Sequence, residues 1–237
     1  MNYDDFLEMV KQRRSHRRFK SDPIPDGILE KVLEAARYPP SAANSQPWEF
    51  VVVRDDAMKK SITQSITSGY KDIHKADPGV YWAGAAVQPY LATAPVMIIV
   101  CGDRRLEEAY PVHLPRESLL HQSLAISIYT LQLAAASFGL ATAWATMQTE
   151  LRESQIRKLL GIPDVYTVDH IIPLGYPDEE REKREKALRQ VRERASYRRD
   201  LNEMVHYERY DMNKFRSDEK ITEFIWSKTV TRIPRDR

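Results

Sequence analysis

The densest concentration of chemistry in this chain is Arg13-Arg14-Ser15-His16-Arg17-Arg18-Phe19. Guanidinium groups beside a hydroxyl make a planar, multi-donor surface suited to a phosphate. Arg13, Ser15 and Arg17 alternate, so in an extended segment their side chains project to one side. Read alone, the same residues also suit a solvated basic patch or a nucleic-acid arm. A second concentration is Pro39-Pro40-Ser41-Ala42-Ala43-Asn44-Ser45-Gln46-Pro47-Trp48. Its prolines and small residues make a rigid, close-fitting loop. Ser41, Asn44 and Gln46 offer groups that both donate and accept, which suits a heteroaromatic ring with mixed N–H and C=O edges. Trp48 reads as an ordinary core residue.

Three weaker motifs follow. Gly139–Met147 and Pro173–Pro177 each read as a strand ending in a close-approach loop. Tyr197–His206 returns two arginines, Arg198 and Arg199, that could complete an anion site begun by Arg13 and Arg17.

Other chemistries are excluded. With 8 glycines, the chain contains no G-x-G-x-x-G and no G-x-x-x-x-G-K-[ST]. The 6 histidines form no H-E-x-x-H or Cys/His cluster, so no metal is expected. No triad or paired carboxylates can be nominated, so no catalytic side chain is assigned. A net charge of +2 gives no global field toward nucleic acid or an anionic membrane. No apolar run approaches the ~20 residues that span a bilayer. One cysteine and no secretory leader pattern point to a cytoplasmic protein.

The elements that must position these motifs follow from periodicity. Tyr3–Arg14 reads as an amphipathic helix. Asp26 is a plausible N-cap for a helix through Ala36, which stops before Pro39-Pro40. Phe50–Val53 is a short buried strand and Asp56–Ile66 a helix. Thr67–Thr93 reads as a long excursion, part helix and part loop, of the kind that is often functional. Pro95–Cys101 is a second buried strand. Glu117–Phe138 is a long helix, apolar around most of its circumference, destined for the core or an interface, with Gly139 as its C′ residue. Ala141–Ala145 is a third strand, Leu151–Leu160 a helix, His170–Leu174 a fourth strand. Glu179–Arg194 is a charged, solvated helix. The division expected is a domain over 1–210 and a C-terminal arm over 211–237.

Taken together these segments resemble the nitroreductase family of flavoproteins, from about Phe6 to Tyr210. The resemblance rests on the arginine-serine-arginine opening, Pro-Ser-x-x-Asn-x-Gln-Pro-Trp, Gly-Leu-x-x-x-Trp, Pro-x-Gly-Tyr-Pro, and the late arginine before Leu-x-Glu-x-Val-His. It implies an α+β fold with a central, mainly antiparallel sheet flanked by helices, in an intertwined homodimer with FMN at the subunit interface. On that reading Arg13, Arg14, Ser15 and Arg17 bind the phosphate and ribityl chain, and Arg198 closes over the phosphate with Arg199 as its register alternative. Pro40, Ser41, Ala42, Asn44 and Gln46 approach the flavin from the partner chain. Backbone at Ala145, Thr146 and Met147 lies by the reactive edge, although the family's usual glycines are replaced there. Leu174 and Gly175 pack near the phosphate end, and the arm packs on the partner.

The activity so implied is hydride transfer from NAD(P)H through the flavin to a small acceptor such as a nitroaromatic, quinone or enone. Tyr70, Tyr81 and Trp82 are candidates to line the acceptor pocket, with ordinary packing as the alternative. Rival readings are a flavin carrier, or a family member that dehalogenates, desaturates or degrades flavin.

Overall fold

The computed structural model describes residues 2–76, 89–106, 116–146, 150–188 and 198–228. The chain divides into two compact units, Met1–Gly69 with Val87–Lys183, and Tyr70–Ala86 with Arg184–Arg237.

The first unit is built on an antiparallel sheet: β1 (Trp48–Val53), β2 (Val96–Asp103), β3 (Ala141–Thr142), β4 (Ala145–Thr146) and β5 (Tyr166–Gly175). Its order is β1-β2-β5-β3, with β4 also on β5. The helices up to Leu188 are α1 (Tyr3–Gln12), α2 (Asp26–Ala36), α3 (Asp56–Ala76), α4 (Pro89–Thr93), α5 (Arg116–Ser137), α6 (Glu150–Leu160) and α7 (Glu179–Leu188), of which α3 beyond Gly69 and α7 beyond Lys183 count with the second unit. The α+β, mainly antiparallel architecture is therefore as expected.

Strand alternation explains the two-sided core. Val96, Ile98 and Val100 of β2, with Ile172 and Leu174 of β5, pack with Leu29, Val32 and Ala36 of α2 and Leu120, Leu124, Ile128 and Leu131 of α5. The alternate residues Met97, Ile99 and Ile171 point to the opposite face and are fully buried too. Trp48 joins the first cluster, as expected. The inward face of α5 explains its small residues. Ser127 Oγ donates to the Ala36 carbonyl at 2.7 Å, satisfying a C-terminal carbonyl of α2.

Several boundaries differ from expectation, each for a local reason. α1 ends two residues early, and its start is fixed by a capping box: Asp5 N–H donates to Asn2 Oδ1 at 2.9 Å and Asn2 N–H to Asp5 Oδ2 at 3.0 Å. Asp26 is not an N-cap. Pro25 holds that place, and the Asp26 carboxylate pairs with Arg54 at 2.5 Å. α3 runs ten residues beyond Ile66, into the segment read as an excursion. The single strand expected at Ala141–Ala145 is two pieces in one register, Thr142 opposite Leu174 and Ala145 opposite Ile171. The break faces Pro173, which has no N–H to give to the ladder. Gly139 does end α5 in the left-handed region, at φ +69°.

The second unit contains turns at Leu201–Glu203 and Met212–Lys214 and helix α8 (Asp218–Lys228). His206 stacks on Tyr210 with ring centroids 4.1 Å apart, and its Nδ1 accepts the Asp211 N–H at 2.9 Å.

Candidate functional site

After α1 the chain turns extended and runs along β3. Ser15 bridges Thr142, and His16 N–H donates to the Thr142 carbonyl at 2.9 Å. Phe19 bridges Pro177, and Lys20 N–H donates to Tyr176 at 2.9 Å. Thr142 in turn pairs with Leu174. The first, third and fourth sequence motifs thus meet at one corner of the sheet.

The extended path sorts the arginines. Arg14 folds back onto the carbonyls of Lys11 and Arg13, and Arg18 Nη1 donates to the Arg17 carbonyl at 2.6 Å. Arg13 and Ser15 have no side-chain hydrogen bond or ion pair among the described residues. The Arg17 guanidinium has none either; it lies 6.0 Å from the centroid of the Tyr90 ring. This corner follows the C-terminus of α1, where the helix dipole is unfavourable to an anion, so arginine side chains are the groups that can attract one. Gly175 closes the corner from beneath. A Cβ there would lie 2.6 Å from Pro95 Cδ and 3.1 Å from Phe19 Cδ1, so only glycine admits this packing.

His16, unlike Arg13 and Arg17, has an ionic partner among the described residues. Its Nδ1 meets Glu182 Oε2 at 3.0 Å, tying the segment to α7. Spacing could not have shown this pair, since 166 residues separate its members.

The Pro40–Gln46 loop stands at the diagonally opposite corner, leading into Trp48, which pairs with Gly102. Ala43, Asn44 and Gln46 all adopt positive φ, at 50°, 54° and 46°. Such backbone is costly for alanine and glutamine. It is held by Ser41 Oγ, which accepts the Gln46 N–H at 2.9 Å, and by Ser123 Oγ of α5, which accepts the Ala42 N–H at 3.3 Å. Asn44 and Gln46 are left exposed. Four strand spacings separate this edge from the arginine segment, roughly 19 Å.

Ala145 is buried and Thr146 exposed, on β4 opposite Ile171 and His170. Arg198 and Arg199 belong to the second unit, where Arg199 Nη2 donates to the Glu203 carbonyl at 2.8 Å. Tyr70 lies on α3, but its side chain, like Met147, Tyr81 and Trp82, lies outside the described residues. Among the described residues no His, Cys, Asp and Glu group could hold a metal ion, and no helix is long and apolar enough to cross a membrane.

Residues 10–176 match the Nitroreductase family. A Methanothermobacter thermautotrophicus protein, "Putative NADH dehydrogenase/NAD(P)H nitroreductase", is 36% identical over 176 residues, 74% of this chain and 78% of its own. Iodotyrosine deiodinase 1 of Rattus norvegicus is 30% identical over 186 residues, 75% of this chain and 64% of its own. An FMN-dependent nitroreductase from Clostridium difficile R20291 shares the fold, with a TM-score of 0.62 at 24% identity over 86% of this chain and 99% of that one. The segment that bears the free arginines, the split strand and the glycine-closed corner all lie inside the matched span, and the chain belongs to the Nitroreductase family.

Proposed function

We propose that the chain is an FMN-dependent oxidoreductase that takes hydride from NAD(P)H and passes it to a small acceptor such as a nitroaromatic, quinone or enone. The observation that carries this reading is the pair of guanidinium groups, Arg13 and Arg17, that flank Ser15 with no ion-pair partner among the described residues. That donor set fits a phosphate monoester, and Arg13, Ser15 and Arg17 would hold it, with Arg14 beside them. Arg198, or Arg199 in the alternative register, would close over it. Leu174 and Gly175 would floor the same end.

FMN, when bound, supplies the two-electron chemistry. The chain's residues bind, orient and shield. The backbone of Ala145, Thr146 and Met147 would border the ring, and Tyr70, Tyr81 and Trp82 would line the acceptor side.

The loop residues Pro40, Ser41, Ala42, Asn44 and Gln46 sit too far across the sheet to complete the arginine corner of their own chain. We therefore read the working form as a homodimer in which the partner's loop does so. The exposed apolar residues Ile126 and Tyr129 on α5, and Tyr3 and Phe6 on α1, support this, since α1 buries none of its own residues within the chain. The arm over 211–237 would pack on the partner. Likeness to a deiodinase favours one further acceptor class, halogenated phenols.

The test is an absorbance spectrum of the purified protein before and after anaerobic NADH or NADPH. A flavin spectrum that bleaches supports the oxidoreductase. A flavin spectrum that never bleaches points to a carrier. A colourless protein that FMN cannot reconstitute rejects the reading.

A further inference from the structure

The Trp144 indole N–H donates to His170 Nδ1 at 3.1 Å, and the two rings meet edge to face with centroids 5.3 Å apart. Trp144 occupies the gap between β3 and β4, while His170 is the residue paired with Thr146. The bond is therefore a diagonal cross-strand tie. It spans the place where the ladder is weakest, because β4 is held to β5 by two residue pairs and Pro173 contributes no N–H. His121 of α5 stands at the third side, its ring nearly perpendicular to His170 with centroids 6.4 Å apart. Accepting at Nδ1 requires a lone pair there, so the neutral His170 ring carries its proton on Nε2.

We propose that Trp144 and His170 are positioning residues whose hydrogen bond fixes β4, so that the backbone of Ala145 and Thr146 borders the bound cofactor at a set distance. The inference rests on the FMN reading above. Backbone dipoles held in place favour the charge distribution of the reduced ring over that of the oxidised one, and a loosened strand loses that preference. On this proposal neither side chain need touch the cofactor. Both act through β4.

The test uses the full chain as Trp144→Phe, His170→Phe and His170→Asn. Phenylalanine keeps a ring but removes the donor or the acceptor. Asparagine places Oδ1 where Nδ1 stands and keeps the acceptor. Two readouts are taken: amide hydrogen exchange at Ala145 and Thr146 without FMN, and the ratio of affinities for oxidised and reduced FMN. Both phenylalanine variants should exchange at least tenfold faster at these amides. They should also bind reduced FMN tenfold less well relative to oxidised FMN, a shift of about 30 mV for a two-electron couple. His170→Asn should match the wild type on both. Unchanged exchange and affinity ratio in the phenylalanine variants, or an asparagine variant as impaired as they are, would overturn the proposal. Should those variants fail to fold, nitrogen shifts of the wild-type histidines decide it, since a proton on His170 Nδ1 is incompatible with the tie. A wild-type chain that never takes up FMN rejects the function, while the exchange data still judge the tie.

Discussion

Glu153 Oε1 accepts the Val168 backbone N–H at 3.0 Å, so a carboxylate of α6 is fastened to the ladder of β5. The same oxygen meets Arg157 and lies 3.0 Å from Arg104. Glu153 and Arg157 are both more than nine-tenths buried. Replacing Glu153 with alanine takes the nearest anion from a buried guanidinium, which keeps the Asp164 carboxylate at 3.5 Å and the Tyr166 carbonyl at 3.4 Å, and should cost about 3 kcal/mol. Urea unfolding of Glu153→Ala should show that loss, and a change below about 1 kcal/mol would mean that Asp164 and the Tyr166 carbonyl suffice for Arg157.

Arg17→Ala and Arg13→Ala should weaken FMN binding at least tenfold while leaving the melting temperature of the cofactor-free protein unchanged. Neither guanidinium has an ion pair to lose within the described residues. Arg37→Ala is the control, since its partner is Glu34 on α2 at 2.5 Å. Fluorescence titration of FMN reads the difference, and equal affinities in all three variants would remove the arginines from the site.

Ile126→Glu should convert the proposed homodimer to a monomer in light scattering, and a wild-type chain that is already monomeric would reject the dimer. Ile126 and Tyr129 are the large apolar residues that α5 leaves exposed, while its inward residues are already used by α2 and the sheet. A dimer that survives the charge would place the interface elsewhere.

Gly175→Ala should destabilise the fold by about 2 kcal/mol through overpacking against Pro95 and Phe19. Chemical denaturation measures it. Because Phe19 ends the arginine segment, FMN affinity should fall in the same variant.

Among the carboxylates whose pKa the fold lowers, Asp103 is partly buried, whereas Glu34, Asp56 and Glu219 are exposed. The Arg105 side chain hydrogen-bonds the Asp103 carboxylate and holds its pKa below the ordinary value near 3.8, against the opposing effect of burial. A depressed folded pKa adds stability that is present above the unfolded value and is lost as pH falls through the folded one. The stability gap between wild type and Asp103→Asn should therefore be constant from pH 5 to 7 and shrink only below about pH 4. A gap that shrinks near neutrality would assign it to another group.

What the sequence disclosed follows the range of its interactions. The alternation of Arg13, Ser15 and Arg17 is a period of two, legible because the segment is extended, and the structure frees these three while turning Arg14 and Arg18 onto carbonyls. The break between β3 and β4 was not legible in Ala141–Ala145, because its cause is a proline on the facing strand. Asp26 has the residue type of a cap, yet Arg54 claims its carboxylate from another element. The ties from His16 to Glu182 and from Trp144 to His170 span 166 and 26 residues and leave no local periodic trace.

The segment that carries Arg13, Ser15 and Arg17 also lies along the outer side of β3, where Ser15 and His16 pair with Thr142. An open strand margin invites pairing with foreign chains, and proteins guard it with covering segments and charge. Here the guard and the proposed anion grip are one stretch of chain, so a substitution that loosens that stretch should also bare the strand margin to aggregation.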